Sequence, residues 1–270
     1  MNTLLVDLGN TRIKWALLRG NAPGRQKAVP VGDWAVFERT LRQLRRIGSV
    51  LVVSVAGAAE ERALRAVLQR SGFPKPRFVR SSAALAGVTN GYRNTWQLGA
   101  DRWVAAVGAW HLAGRRTVCA VSVGTALTID VVDASGQHRG GLIAPGPALM
   151  VHSLLRDTHG IARRAALPAG RRIRRDANRA GTIRPLADNT RDAIELGSLT
   201  AAAGLIDRTI KAVRAAMGGR PRVLLTGGGA AAVAPLLASQ HVPCEELVLH
   251  GLAVVASESN PQRPPSRRRA

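Results

Sequence analysis

The segment Asp7-Leu8-Gly9-Asn10-Thr11, continuing as Arg12-Ile13-Lys14, has residue types suited to holding phosphate. Gly9 has no Cβ, so backbone N–H groups in a turn there can approach phosphate oxygens. Asn10 and Thr11 add an amide and a hydroxyl, and Lys14 adds a compact positive charge. Asp7 can hold a hydrated Mg2+ beside those phosphates. The same stretch also fits an ordinary hairpin, because Gly-Asn is a common turn pair. Two later loops have related chemistry. Gly124-Thr125-Ala126 follows an apolar run, and Gly227-Gly228-Gly229 joins a short apolar run to a stretch of small residues. Singly, each is also a plain turn; as an ordered set of three, they read as walls of one nucleotide site.

A second group carries different chemistry. Gly99-Ala100-Asp101-Arg102 opens a helical stretch. One reading of Asp101 is a helix cap. The other is a general base that takes the proton of a substrate hydroxyl as it attacks a γ-phosphate, with Arg102 pairing fork-like to an anionic substrate group. Tyr92, the one tyrosine, precedes this segment in a loop rich in Gly and Asn, where a surface turn is the plainer reading. Asp188-Asn189-Thr190 precedes the longest helical stretch and fits a cap. The histidines at 111, 138, 152, 159, 241 and 250 show no metal-ligand spacing and receive no role.

The elements that must position these residues follow from hydrophobic pattern. Residues 3–8 and 12–18 read as a hairpin, and 49–55 and 117–123 as buried strands. Strands are also expected at 77–80, 127–132, 138–143 and 222–226. Asp33 would cap a helix carrying Trp34, Phe37, Leu41 and Leu44. Further helices are expected over 58–70, 101–112, from Pro147 to about Leu155, and 190–217, the last interrupted near Gly197 or Gly204. Residues 157–187 read as an Arg-rich loop, and those from about 257 onward as a disordered basic tail. A strand–turn–strand unit opens both halves of the chain, so two related α/β lobes facing one cleft are expected.

Composition narrows the partners. The net charge of +22 over 270 residues attracts anions such as ATP, acidic metabolites or nucleic acid. The basic stretches, residues 163–179 and the tail, lack stacking aromatics, so they read as solvated surface and nucleic acid is not the expected partner. With aromatics at 3%, small aliphatics must fill the core. Cys119 and Cys244 lie far apart, which gives no disulfide framework or zinc spacing, and Cys119 reads as a buried thiol. No leader-like N-terminus or membrane-length apolar run stands out, so no membrane partner is expected and the cytoplasm is the expected location.

In order, these motifs resemble the type III pantothenate kinases of the acetate kinase, sugar kinase, heat-shock 70 and actin superfamily. The resemblance runs from Met1 to about Val255 and rests on Asp7–Thr11 with Lys14, Tyr92, Gly99–Arg102, Gly124–Ala126 with Asp130, Asn189-Thr190 and Gly227–Gly229. The Gly-Ala-Asp-Arg segment discriminates best, since the wider superfamily shares only the phosphate loops. The resemblance implies an actin-like ATPase fold of two ribonuclease-H-like lobes, here 1–115 and 116–256 with the tail 257–270, and ATP bound between them. It implies γ-phosphoryl transfer from ATP to the 4′-hydroxyl of pantothenate, the first step of coenzyme A biosynthesis. By resemblance Asp101 is the general base, and Tyr92, Gly99, Ala100, Asp101, Arg102 and Thr190 line the pantothenate site. Residues 7–14, Thr125 and Gly227–Gly229 would hold ATP. A homodimer, Mg2+ and a monovalent cation, K+ or NH4+, are also implied. The sequence departs from the pattern at Ser122, where many members carry an aspartate that binds the monovalent cation. A neutral hydroxyl is a far weaker ligand, so weakened or absent cation dependence is expected. The alternative reading is a non-catalytic regulator binding nucleotide or nucleic acid. The charge favours it and Asp101 argues against it.

Overall fold

The structure is a computed structural model and describes residues 2–165 and 186–258. Most of the basic 163–179 stretch and the tail from residue 259 lie outside the described residues. The first sheet is built from β1 (Asn2–Leu8), β2 (Arg12–Arg19), β3 (Ala22–Pro23), β4 (Lys27–Pro30), β5 (Ile47–Ser54) and β6 (Arg77–Val79). Helices α1 (Trp34–Leu41) and α2 (Ala58–Arg70) connect its later strands. A small hairpin, β7 (Ala84–Leu85) and β8 (Val88–Thr89), then leads to α3 (Ala100–Leu112). The second sheet contains β9 (Val118–Val123), β10 (Ala126–Val132), β11 (His138–Pro145), β12 (Arg222–Thr226) and β13 (Val242–Pro243). Between β11 and β12 run α4 (Pro147–Asp157), α5 (His159–Ala165) and α6 (Thr190–Met217); α7 (Ala230–Val233) precedes β13, and α8 (Leu247–Glu258) ends the described chain.

Both sheets have the same plan. Leaving out the short β3, which also pairs with β2, the order within each is third, second, first, fourth, fifth: β4-β2-β1-β5-β6 and β11-β10-β9-β12-β13. The first three strands are antiparallel and the last two parallel in each. This repetition is the internal likeness expected from the two strand–turn–strand units. The central strands β1, β5 and β9 are apolar without alternation because both of their faces are covered.

The sheets and helices stack in layers. Leu4, Val6 and Leu8 of β1 pack with Phe37 and Leu41 of α1 and with Leu64, Val67 and Leu68 of α2. Leu5, Leu51 and Val53 face the other way, onto Ala100 and Val104 of α3 and Leu249, Leu252 and Ala253 of α8. α3 also buries Trp103, Ala106, Val107 and Trp110 against Val118, Ala120, Val132 and Leu224 of the second sheet. α6 covers the far face of that sheet with Ala202, Ala203, Ile206, Ile210 and Val213. The pair α3–α8 is therefore a shared layer between the two sheets. It packs backbone to backbone: a Cβ on Gly108 would sit 2.6 Å from the nitrogen of Gly251, and one on Gly251 would collide with the carbonyl of Val104.

Several expectations change. The loop expected from 157 contains helix α5, and α4 runs two residues past Leu155. α6 is one continuous helix of 28 residues, not interrupted at Gly197 or Gly204. The penalty of about 1 kcal/mol per glycine is outweighed by the apolar face that α6 buries. α8 was not expected as a helix, and it carries Ser257 and Glu258, placed in the tail by the sequence reading. Asp33 makes no side-chain capping bond, whereas the Asn189 side chain accepts from the Asp192 N–H at 3.0 Å. Among the described residues no helix is long and apolar enough to cross a membrane.

Candidate active site

The three glycine loops converge. The Gly9 N–H donates to the Arg12 carbonyl at 3.1 Å, closing the tight turn between β1 and β2. Thr11 from that turn and Thr125 from the β9–β10 turn stand with their hydroxyls 3.4 Å apart. The Gly146 N–H donates to the Thr125 carbonyl at 2.8 Å, so the start of α4 clamps the second loop. Gly227 has φ +100°, and a Cβ there would strike the Val123 backbone, while the Gly229 N–H donates to the Val123 carbonyl at 2.9 Å. The third loop thus lies on the residue before Gly124. Gly228 faces open space. Leu8 and Ile13, expected along the ATP loop, have side chains in the core, so only their backbone can meet a ligand.

Asp7 closes β1 with its carboxyl buried, opposite Lys14 across the hairpin. Their Oδ2 and Nζ atoms are 4.0 Å apart. Burial pushes the Asp7 carboxyl up to about 6, with Lys14 lowering it and Asp101 raising it further. The Asp101 charge thus lies within electrostatic reach of Asp7. Among the described residues no group of three or more His, Cys, Asp and Glu side chains could hold a metal ion. One carboxylate with a long ion pair fits Mg2+, which is typically held by one or two carboxylates plus water and substrate phosphates. Ser122 pairs across the sheet with Thr128 and Thr226. Those flanking side chains are neutral hydroxyls, so this position brings no carboxylate.

Asp101 lies in the first turn of α3, where its Oδ1 accepts from the Arg102 N–H at 2.7 Å. The N-cap of α3 is Gly99, which makes no side-chain capping bond, so the capping reading of Asp101 does not hold. Burial raises its carboxyl above the ordinary range, and the Arg102 hydrogen bond and charge oppose this. Arg102 is itself buried, and its fork does not face open space. Nε and Nη2 donate to the two oxygens of Asp130 at 2.9 and 2.7 Å, and Nη1 donates to the Tyr92 hydroxyl at 3.2 Å. The fork expected for a substrate anion is thus taken by Asp130, because a guanidinium this buried requires a charged partner. Asp130 also accepts from His138 Nε2 at 3.0 Å. Tyr92 and the Gly99–Arg102 segment are brought together; among the described residues no hydrogen bond ties Thr190 to them.

Sequence reading missed two residues here. His138 received no role, yet it is 1% exposed and bonded to Asp130. The signal was register: β11 folds back on β10 so that Val132 faces His138 and Asp130 faces Gly141. Glu246 precedes α8 with φ +77°, and burial pushes its carboxyl up to about 7, with Lys14 lowering it and Asp7 raising it. Nothing local in the sequence marks it, since it reaches Lys14 only through the return of α8 to the first sheet. Cys119, read as a buried thiol, is fully buried, which pushes it up to about 12.

Comparison with known proteins gives this geometry a family. The chain is 39% identical to the type III pantothenate kinase of Cupriavidus taiwanensis over 94% of its length and 97% of the relative. It is 40% identical to that of Herminiimonas arsenicoxydans over 96% and 98%. Among solved structures it resembles a protein described as a Baf family transcriptional activator from Campylobacter jejuni, with TM-score 0.59, 15% identity and coverage of 96% and 98%. It also resembles the activator of 2-hydroxyisocaproyl-CoA dehydratase from Clostridium difficile, with TM-score 0.53 and 15% identity over the whole of both chains. These two likenesses bear on the fold alone, which is the actin-like ATPase fold of two ribonuclease-H-like lobes. The model of the family described as type III pantothenate kinase matches residues 3–212, so with these relatives the chain belongs to the type III pantothenate kinase family.

Proposed function

We propose that this chain transfers the γ-phosphoryl group of ATP to the 4′-hydroxyl of pantothenate, the first step of coenzyme A biosynthesis. The observation that carries this reading is Asp101, a buried carboxylate within electrostatic reach of Asp7 and at the head of the helix that packs on both sheets. The Thr11 and Thr125 hydroxyls, the backbone of the glycine loops and Lys14 hold and orient the ATP phosphates. Mg2+ held by Asp7 would neutralise phosphate charge. Asp101 takes the hydroxyl proton as that oxygen bonds to the γ-phosphorus; the bond to the bridging oxygen breaks, and ADP leaves. Burial lifts Asp101 toward the proton affinity a general base needs. Tyr92, Gly99–Arg102 and Thr190 line the acceptor site, and the lobe boundary falls near residue 115.

The active form in this reading is a homodimer. Leu142 and Ile143 on the edge strand β11 are 44% and 65% exposed, and Leu149, Leu154 and Leu155 on the adjoining α4 are exposed as well. An edge strand with apolar side chains is a pairing surface, and a second copy is its occupant here. With a hydroxyl at Ser122 in place of a carboxylate, dependence on a monovalent cation is weakened or lost. The regulator reading is not favoured, since it leaves Asp101 and its buried partners without a purpose.

The test is coupled ADP release by the full chain with ATP and pantothenate, compared with acetate and sugars as acceptors. Turnover dependent on pantothenate alone is expected, and it persists in Tris-only buffer without potassium. Equal turnover with the other acceptors would overturn the substrate, and strict potassium dependence would overturn the account of Ser122.

A further inference from the structure

His138 is the one histidine whose ring joins the buried charge cluster around Arg102. Its Nε2 lies 3.0 Å from Asp130 Oδ1, the oxygen that also accepts from Arg102 Nη2. A carboxylate oxygen accepts hydrogen bonds, so His138 Nε2 is the donor in this pair. Nδ1 has no partner among the described residues. A buried polar atom without a partner is destabilising. An apolar ring of the same size would avoid that cost. What an apolar ring cannot supply is the second donor on Asp130 Oδ1.

That donor has a geometric consequence. A guanidinium offers more than one edge to a carboxylate. With Oδ1 also held by His138, the Asp130 carboxylate cannot swivel freely, and it meets the Nε–Nη2 edge of Arg102. Nη1 is thereby directed to the Tyr92 hydroxyl. The neighbouring backbone leaves little room for another arrangement. A Cβ on Gly141 would collide with Asp130 Oδ1, and one on Gly91 would collide with the His138 carbonyl. The Tyr92 and His138 rings lie 5.8 Å apart between centroids.

We propose that His138 is a positioning residue: acting through Asp130 and Arg102, it fixes the Tyr92 hydroxyl in the orientation in which Tyr92 meets the acceptor. The inference rests on the reading of Tyr92 as an acceptor-site residue. It predicts that His138 governs acceptor affinity and leaves ATP affinity alone.

Two variants separate positioning from a merely structural role. In His138→Gln the amide nitrogen can take the place of Nε2 and donate to Asp130; in His138→Asn it stops short, near the place of Nδ1. Steady-state kinetics of the full chain are measured against both substrates. His138→Asn is expected to raise the KM for pantothenate about tenfold, the effect of losing one hydrogen bond to a charged group, with the KM for ATP unchanged. His138→Gln is expected to stay within about threefold of the wild type for both substrates. A general loosening of the fold would instead move both KM values together, and so would overturn the proposal. Equal pantothenate KM values in the two variants would overturn it too. Should His138→Asn fail to fold, Asp130→Asn takes its place, and an unchanged pantothenate KM there overturns the proposal. A wild type that turns over pantothenate beside indifferent variants refutes this inference alone; a wild type with no pantothenate-dependent ADP release removes the acceptor reading and this inference with it.

Discussion

Asp7, the carboxylate proposed to serve the nucleotide, is buried beside the first loop. Its carboxyl is pushed up to about 6 from an ordinary value of 3.8, chiefly by burial. Between those two values the folded chain retains a proton that the unfolded chain has released. Stability of the ligand-free protein therefore falls as pH rises through that window. Glu246, raised to about 7 from 4.5, acts in the same direction and extends the fall toward neutrality. Asp7→Asn removes the Asp7 part. Urea unfolding at pH 8 is expected to show the variant more stable than the wild type by about 1–3 kcal/mol. Below pH 4 the two should coincide, while ADP release is lost. Equal stability at pH 8 would show that burial of Asp7 carries no such penalty. The residues of the phosphate loops were legible in the sequence because their chemistry is local: a glycine, a hydroxyl and a lysine within one turn. His138 and Glu246 were not, and Asp130 was seen only as part of a motif without its partners, because those partners come from strand register and from a helix that returns across the molecule.

At the scale of elements, the pair α3–α8 joins the first sheet to the second. The sequence revealed α3 through its helical spacing and its Gly99–Arg102 start. It did not reveal α8, whose residues Leu247, Leu249, Leu252, Ala253 and Val255 are buried on more than one side, so no polar stripe marks the helix. The strands β1, β5 and β9 were legible because both-face burial writes an unbroken apolar run; β3 and β13, of two residues each, carry too little pattern to be seen. Gly251 is where the pair is tightest. Gly251→Ala is expected to destabilise the fold by about 1–3 kcal/mol through forced separation of the helices. Gly204→Ala is the contrast, since a Cβ there meets nothing within 4 Å inside α6. It is expected to stabilise by about 0.5–1 kcal/mol. Denaturant midpoints measure both, and opposite signs are the outcome expected.

At the scale of the whole molecule, the repeated sheet order makes two lobes whose first turns face each other, as the contact between Thr11 and Thr125 records. The exposed apolar residues of β11 and α4 lie at the edge of the second lobe and form the expected dimer face. Ile143→Glu places a charge on that face and is expected to shift sedimentation from dimer to monomer without changing the circular dichroism spectrum. A variant that remains dimeric would move the interface elsewhere. Everything in this arrangement converges on one proton transfer, so the most direct measurement is ADP release with ATP and pantothenate by Asp101→Asn. The account predicts a folded variant whose kcat falls by roughly 10²–10⁴-fold, as expected for removal of a positioned base. Turnover equal to that of the wild type would contradict it.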